Sequence, residues 1–363
     1  MSLSCGIVGL PNVGKSTLFN AITRSSVAAS NYPFCTIDPN VGIVAVPDPR
    51  LGVLGDIFAS KQIVPATTTF VDIAGLVRGA SKGEGLGNAF LSHVREVDAI
   101  AMVVRCFEDA NVVHVDAQPD PLRDIETINV ELALADLATA EKRLDKARQR
   151  AKAEPKMAPE AAALERLSNA LNEGRPARSF DARSLEASLA KELCLLTAKP
   201  ALYVANVDEA GSEASNNRVL AVRRLAQAEG AECIVLCAKL EAELAGLPED
   251  EAAAFAKELG MEASGLDRLI VAAYRLLDLM TFLTAGEKET RAWTIERGTK
   301  APQAAGKIHT DIERGFIRAE IMSYPDIARL RTMQAVRDAG LLRVEGRDYV
   351  MQEGDVVNFR FNV

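Results

Sequence analysis

The sequence predicts an α/β fold with a mostly parallel sheet, interrupted by a helical insertion and followed by a smaller α+β module. In residues 1–125 and 197–278, short apolar strands alternate with helical stretches, which is typical of a parallel sheet covered on both faces. Residues 126–196 are instead rich in helix formers, with apolar positions three and four apart. Residues 279–363 change again, to short strands around one helix, and therefore predict a separate module.

A glycine-rich turn follows the first predicted strand. The stretch GLPNVGKST, residues 9–17, matches the pattern G-x-x-x-x-G-K-[ST] and leads into the helix-like LFNAIT. Gly9 and Gly14 let the backbone turn tightly enough for its N–H groups to point at phosphate oxygens beside a helix N-terminus. Lys15 is expected to reach the β and γ phosphates, and Ser16 to bind Mg²⁺. The sequence therefore predicts a P-loop NTPase domain of the Ras-like type.

A second strand end supplies the partner motif of such a site. FVDIAGL offers Asp72, expected to bind Mg²⁺ through water, and Gly75, whose N–H is expected to contact the γ-phosphate. Thr36, in the intervening loop NYPFCTIDPNVG, is the candidate second Mg²⁺ ligand of a nucleotide-sensing switch. Leu76 stands where Ras-type enzymes carry a Gln that orients the attacking water. Since leucine cannot hold water, we expect slow hydrolysis, or a water held by another residue or by a partner.

The stretch YVANVDEAG carries the motif that would read the base. In the N-x-x-D arrangement the Asp accepts two hydrogen bonds from guanine, but here the fourth position is Glu209. Misplacing the carboxylate costs on the order of 1.5–3 kcal/mol for each charged hydrogen bond, enough to erase guanine preference. We therefore expect a pocket of Asn206, Val207 and Glu209, completed by Cys237 and Ala238, to accept adenine. The alternative is that NVDE is an ordinary strand-end turn and that the base is bound elsewhere.

The composition limits the partners and the compartment. A net charge of −8 over 363 residues argues against coating of nucleic acid and against DNA sequence recognition, but leaves room for a local basic face. The N-terminus shows no targeting signal, and no apolar run reaches the roughly eighteen residues that span a bilayer. Six scattered cysteines and three distant histidines form no zinc pattern and indicate reduced thiols. We therefore expect a cytoplasmic chain without a membrane partner.

Several longer stretches together carry a family resemblance. They are GLPNVGKST, TIDPNVG, DIAGLVRGASKGEGLGNAFL, NVDE, AKLEAEL and KETRAWTIERGTKAPQAAGKIHTDIERGFIRAE. With these stretches the chain closely resembles the YchF family, the Obg-related P-loop ATPases called Ola in eukaryotes, over essentially its whole length. The resemblance implies a nucleotide-binding domain, an inserted α-helical coiled-coil arm and a C-terminal TGS domain of β-grasp type. It also implies ATP hydrolysis in preference to GTP hydrolysis, and association with ribosomes.

The same resemblance assigns roles to single residues. It implies that the phosphates are held by Asn12, Val13, Gly14, Lys15, Ser16 and Thr17. It also implies that Ser16 and Thr36 bind Mg²⁺ and that Val207 lies at the adenine. His114, in FEDANVVHV, matches a family histidine regarded as a candidate catalytic residue, although a histidine flanked by valines is more often structural. Asn12 occupies the position that helps hold K⁺ in related cation-activated GTPases, so K⁺ binding is a further hypothesis.

The helical insertion and the C-terminal module are the candidate partner surfaces. The first helix of the insertion ends in EKRLDKARQRAK, with the basic residues Lys142, Arg143, Lys146, Arg148, Arg150 and Lys152. Such a run is usually a solvated face, but beside the ribosome expectation it is a candidate rRNA contact through phosphate neutralisation. The C-terminal loop region KAPQAAGKIHTDIERGF is a second candidate for an RNA or protein partner.

Three function classes remain open at this point. The first is an ATPase linked to the 70S ribosome or its large subunit, in which hydrolysis times a cycle. The second is a nucleotide-gated adaptor whose turnover is incidental, which Leu76 keeps open. The third is a GTP-driven ribosome assembly factor, which Glu209 disfavours.

Overall fold

The fold is given by a computed structural model. It describes residues 3–24, 40–75, 86–109, 119–209, 216–248, 251–252, 254–255 and 263–362. Thr36, Leu76 and His114 lie outside the described residues, so the expectations attached to them stay predictions.

The described residues form the following elements. The strands are β1 (Ser4–Val8), β2 (Val41–Ala45), β3 (Ile63–Val64), β4 (Thr67–Asp72), β5 (Ala99–Arg105), β6 (Ala201–Asn206), β7 (Cys233–Leu236), β8 (Leu279–Ala285), β9 (Thr290–Glu296), β10 (Phe316–Ser323), β11 (Arg343–Glu345) and β12 (Asp355–Phe361). The helices of eight or more residues are α1 (Lys15–Arg24), α2 (Arg50–Phe58), α3 (Leu86–Glu96), α4 (Pro121–Ala153), α5 (Ala158–Asn172), α6 (Leu185–Glu192), α7 (Asn217–Glu229), α9 (Gly265–Leu276) and α10 (Ala301–Ile308), and the shorter ones are α8 (Ala238–Leu244), α11 (Thr310–Arg314), α12 (Tyr324–Leu330) and α13 (Met333–Asp338). None of the helices in the described part of the chain has both the length and the apolar content needed to cross a bilayer.

Met1–Val44 and Thr69–Ala273 form the first of two compact units. Its six-stranded sheet has the order β2-β4-β1-β5-β6-β7, and the pairs β4–β1, β1–β5, β5–β6 and β6–β7 are parallel. The predicted mostly parallel sheet is thereby confirmed. Because the carboxyl ends of parallel strands meet at one edge of a sheet, the segments that follow β1, β4, β5, β6 and β7 converge there.

The central strands of this sheet are buried along their whole length. Every residue of β5 and of β6 is buried, which explains why both strands read as continuous apolar runs. Leu18 and Ile22 of α1 and Phe70 of β4 are fully buried as well. At about 1.5–3 kcal/mol for each buried large apolar side chain, this core fixes β1 and α1, and with them the turn between the two.

The helical insertion begins earlier than the predicted residue 126. Asp120 caps α4 by accepting hydrogen bonds from the first-turn N–H groups, and the helix then continues for 33 residues. It ends just before Pro155, and α5 begins three residues further on. Leu144 of α4 packs with Leu164 of α5 in a buried apolar cluster. The additional short helix α6 was not predicted as a separate element.

Ala45–Thr68 and Tyr274–Val363 form the second unit. Its sheet has the order β11-β10-β12-β8-β9-β3, with antiparallel pairs except for the parallel pairs β12–β8 and β3–β9. The core contains the rings of Phe282, Phe316 and Phe359, with that of Phe359 5.9 and 6.0 Å from the other two. Trp293 stacks on Phe282 at 6.2 Å. These contacts give the C-terminal module a core of its own.

One segment of the second unit lies far from it in the sequence. The prediction assigned residues 45–68 to the nucleotide-binding domain, but β3 pairs with β9 through Ile63 and Thr290. Arg50 of α2 also lies 2.7 Å from Glu353, and the backbone N–H of Lys61 donates to Glu287. A strand of two residues leaves no periodic pattern, which is why the sequence did not indicate this pairing.

Candidate functional site

The predicted phosphate loop forms the connection between β1 and α1. Asn12 and Gly14 both have positive φ, 61° and 99°, so the loop turns through the left-handed region twice. A Cβ atom on Gly14 would lie 2.2 Å from Nδ2 of Asn206, and one on Gly9 would lie 2.5 Å from the carbonyl oxygen of Val103. Both glycines are therefore required by close approach of other parts of the chain, in the strand, loop and helix context that the sequence predicted.

Lys15 is the buried cation of this loop. Its side chain is 8% exposed, and Nζ donates a hydrogen bond of 2.8 Å to the carbonyl oxygen of Leu10. Burial lowers the pKa of Lys15 to about 8, while the charge of Asp72 acts in the opposite direction. A Cβ atom on Gly75 would lie 3.1 Å from Nζ, so Gly75 is close to the cation as its predicted role requires. This hydrogen bond uses one of the three N–H donors of the ammonium, so two remain for a phosphate.

Asp72, at the end of β4, fits the predicted Mg²⁺ site. Its Oδ1 atom is buried and accepts no hydrogen bond from a described residue. Burial raises the pKa of this carboxyl group, and the positive charge of Lys15 lowers it. Asp72 therefore interacts electrostatically with Lys15, the first residue of α1. Ser16, the next residue of that helix, is exposed. Among the described residues, no three His, Cys, Asp or Glu side chains form a metal cluster. The hydroxyl of Ser16 and the carboxylate of Asp72 are oxygen ligands of the kind that Mg²⁺ prefers, usually with water completing its shell.

Asn206 joins three of the converging segments. Its Nδ2 donates to the carbonyl oxygen of Val13 at 2.9 Å, and its Oδ1 accepts from the N–H of Ala238 at 2.9 Å. The side chain is only 4% exposed, so both bonds are shielded from water. Asn206 therefore orders the phosphate loop and the start of α8 together.

A cavity of about 620 Å³ extends between these segments. It is lined by Asn12, Gly14, Lys15, Ser16, Thr17, Phe107, Glu108, Asp109, Asn206, Val207, Asp208, Glu209, Cys237, Ala238 and Lys239. The cavity thus brings together ten of the predicted site residues. Val13 is buried and does not line the cavity, but its carbonyl oxygen accepts the hydrogen bond from Asn206.

One wall of this cavity was not predicted from the sequence. Phe107, Glu108 and Asp109 begin two residues after the end of β5, next to the residues that follow β6. The signal that could have found them is their position, because residues after a central parallel strand lie at the ligand-binding edge of the sheet.

Glu209 forms an ion pair with Lys239 in this structure. Its Oε1 atom lies 2.8 Å from Nζ of Lys239, and both side chains are more than half exposed. Val207 and Cys237 are buried beside it, and burial raises the pKa of the Cys237 thiol. The predicted base end of the cavity therefore combines apolar and thiol surface with a carboxylate that is already paired to a cation.

The geometry defines a nucleotide-binding domain of the P-loop GTPase superfamily. Residues 4–143 match a family model described as a 50S ribosome-binding GTPase, and residues 279–362 match the YchF GTPase C-terminal family, described as a protein of unknown function (DUF933). The chain belongs to the YchF family. It is 54% identical over 366 residues to the ribosome-binding ATPase YchF of Bacillus subtilis and 51% identical over 365 residues to that of Haemophilus influenzae, with 100% of each chain covered.

Solved structures agree with this assignment. The YchF GTPase of Schizosaccharomyces pombe is similar with a TM-score of 0.87 and 42% identity, over 99% of this chain and 98% of that one. A GTP-binding protein from Pyrococcus horikoshii has a TM-score of 0.60 at 20% identity, over 99% of this chain and 100% of that one. The second likeness extends to the fold alone.

Proposed function

We propose that this chain is a Mg²⁺-dependent ATPase that binds the ribosome and changes its partner contacts with nucleotide state, acting in translation or its regulation. The observation that carries the proposal is the cavity that runs from the phosphate loop to Val207 and Glu209. The relatives at 54% and 51% identity carry the name ribosome-binding ATPase, which supports the same nucleotide and the same partner here.

The base end of the cavity supports ATP in preference to GTP. Guanine presents two donors that need a carboxylate acceptor, but Glu209 is paired with Lys239 at 2.8 Å. Adenine has no donor at N1 and therefore needs no carboxylate there. Phe107 offers an aromatic ring and Val207 an apolar surface, and base–aromatic stacking contributes about 1–3 kcal/mol. A competition titration tests this point, and equal affinity for ATP and GTP would defeat it.

The proposed Mg²⁺ ligands are Ser16 and Thr36, with Asp72 acting through water. Bound Mg²⁺ would neutralise charge on the β and γ phosphates. Lys15 would donate to a phosphate oxygen with an N–H that is not bound to Leu10, and the N–H of Gly75 would donate to the γ-phosphate. The Oδ1 atom of Asp72, which is buried and has no hydrogen-bond partner in the described part of the chain, supports this assignment.

Two further assignments concern turnover. His114 is the proposed catalytic residue, and its replacement by Ala should lower both basal and ribosome-stimulated hydrolysis. Asn12 is the proposed contact for K⁺, and equal turnover in K⁺ and Na⁺ would rule that out.

Hydrolysis is proposed to be slow until a partner stimulates it, because Leu76 cannot orient water. The alternative is a nucleotide-gated adaptor with negligible turnover. Measuring hydrolysis with and without 70S ribosomes separates the two, since only the ATPase predicts clear stimulation.

The remaining parts of the chain are proposed to bind the ribosome. Residues 126–196 would act as a coiled-coil arm and residues 279–363 as a TGS module of β-grasp type. In the basic run of α4, Arg143 is already paired with Glu160 at 2.7 Å and Arg148 with Glu165 at 2.8 Å. The basic residues that remain exposed, without an ion pair to a described residue, are Lys142, Lys146, Arg150 and Lys152. These four form the proposed rRNA contact, and a ribosome partner implies a cytoplasmic site of action.

A further inference from the structure

Arg105, the last residue of β5, is a fully buried cation beside the nucleotide cavity. It is 1% exposed and belongs to the largest fully buried side chains of the described residues. Its Nε donates to the carbonyl oxygen of Phe107 at 3.2 Å, and its Nη2 donates to that of Asp109 at 3.1 Å. Its Cζ atom also lies 4.6 Å from the centroid of the Phe107 ring. One guanidinium group therefore holds both ends of the segment 107–109.

The residue between Arg105 and this segment is fixed from both sides. The N–H of Cys106 donates to the carbonyl oxygen of Asn206 at 2.8 Å. Its own carbonyl oxygen accepts from Nδ2 of Asn216 at 2.8 Å. Further along, Glu108 pairs with Arg218 at 2.6 Å. The segment thus starts from a rigid point, and Arg105 determines how it continues along the cavity wall.

We propose that Arg105 is a positioning residue for the base end of the nucleotide cavity. By fixing two carbonyl oxygens and supporting one face of the Phe107 ring, it holds the segment 107–109 in a shape ready to receive a base. The inference rests on the proposed nucleotide binding and deepens it, because it names what sets the affinity for the base. Arg105 itself does not line the cavity.

The arrangement requires arginine in particular. A planar guanidinium can donate two hydrogen bonds in a fixed fork and stack on a ring at the same time, whereas the ammonium of lysine is a compact point charge. Each hydrogen bond to a charged group contributes about 1.5–3 kcal/mol, and a buried carbonyl oxygen that loses its donor is left unsatisfied. The binding energy of the base is raised because the wall is ordered before the ligand arrives.

The test compares ATP with inorganic tripolyphosphate, which reaches the phosphate loop but not residues 107–109. In the Arg105→Lys chain, the Kd for ATP should rise by about tenfold, the effect of one lost charged hydrogen bond. KM should rise more than kcat falls, and the Kd for tripolyphosphate should stay unchanged. Arg268→Lys is the matched control, since Arg268 donates to the carbonyl oxygen of Val235 and does not line the cavity.

A second variant keeps the proposal testable if Arg105→Lys does not fold. Phe107→Leu leaves Arg105 in place and removes the stacked ring, so it should also weaken ATP binding and spare tripolyphosphate. In the double variant the two losses should not add, because Arg105 acts through Phe107.

Unchanged ATP affinity in either single variant would overturn the inference, as would an equal loss for ATP and tripolyphosphate. Failure of the unaltered chain to bind ATP would overturn the proposed nucleotide binding and this inference together. The two failures are therefore distinguishable.

Discussion

The ammonium group of Lys239 lies 2.8 Å from the carboxylate of Glu209. The residue at the guanine-reading position therefore already has a cationic partner, supplied by the first turn of α8. The hydrogen bond and charge of Glu209 raise the pKa of Lys239, so the ammonium is favoured in its charged form.

Shortening this carboxylate should move the base preference toward guanine. Glu209→Asp draws the carboxylate away from Lys239 and toward the position of N1 and N2 of guanine. We expect the ratio of GTP affinity to ATP affinity to rise by about tenfold, as measured by competition titration. Glu243→Asp, the same change on an exposed position of α8 that does not line the cavity, is the control. An unchanged ratio in Glu209→Asp would show that Glu209 does not exclude guanine.

Removal of the Asn206 amide should weaken both the fold and the site. Asn206→Ala leaves the carbonyl oxygen of Val13 and the N–H of Ala238 without their partner. We expect a loss of about 1–3 kcal/mol in the free energy of unfolding and at least about tenfold weaker ATP binding. Urea unfolding and calorimetric titration measure the two effects, with the exposed Asn217→Ala as control. Stable protein with unchanged ATP affinity would contradict the bridging role.

The pKa of Lys15 should make nucleotide binding depend on pH. In the free chain burial lowers this pKa from 10.5 to about 8, so Lys15 is charged below about pH 8 and loses its proton above it. Nucleotide phosphates favour the charged form and raise the pKa again. ATP affinity should therefore be highest below about pH 8 and fall as the pH rises above it. Above about pH 8, Lys15 should take up a proton when ATP binds. Calorimetry at about pH 9 in two buffers with different ionisation enthalpies measures the uptake, and its absence there would contradict the assignment.

In the first unit, the site residues that could be predicted from the sequence belong to short motifs whose residues are close together in the chain. Gly14, Lys15 and Ser16 lie between a strand and a helix, and their roles follow from that local order. Asn206 was predicted for the same reason. The segment 107–109 was not, because it enters the cavity through the pairing of β5 with β6, whose sequences are about a hundred residues apart.

In the second unit, the strand and helix pattern after residue 279 was sufficient to predict a separate module. The pattern gave no indication that residues 45–68 belong to it. The pairing of Ile63 with Thr290 and the contact of Arg50 with Glu353 join positions more than two hundred residues apart, and neither involves a motif.

The role of Arg50 can be tested through stability. Its guanidinium binds Asp48 at 2.8 Å and Glu353 at 2.7 Å, and it is 22% exposed. Arg50→Met should lower the free energy of unfolding of the second unit by about 1.5–3 kcal/mol. Trp293 is the single tryptophan of the chain and lies in β9, so its fluorescence follows this unit. Arg329→Met, which breaks an exposed pair with Asp326, should change stability by less than about 0.5 kcal/mol. Equal effects of the two changes would contradict the special role of Arg50.

The basic run of α4 offers a matched comparison for ribosome binding. Lys146→Gln and Arg150→Gln remove charges that have no partner among the described residues, whereas Arg148→Gln removes one already paired with Glu165 at 2.8 Å. The first two should weaken ribosome binding and reduce its salt dependence by about one unit of slope per charge. Arg148→Gln should have a smaller effect. Co-sedimentation at several salt concentrations measures this, and equal losses for all three variants would argue against a selective contact.

The position of residues 45–68 means that the chain cannot be divided by a single cut. A fragment ending at residue 273 would retain α2 and β3 but lose the strand that pairs with β3 and the carboxylate of Glu353. Leu51 and Leu54, which are buried in the whole chain, lie in the segment 45–68 that would lose these contacts. Removal or exchange of residues 274–363 alone should therefore disturb the folding of residues 45–68 as well. A loss of function in such a deletion or fusion would then reflect misfolding and not a specific role of the C-terminal module.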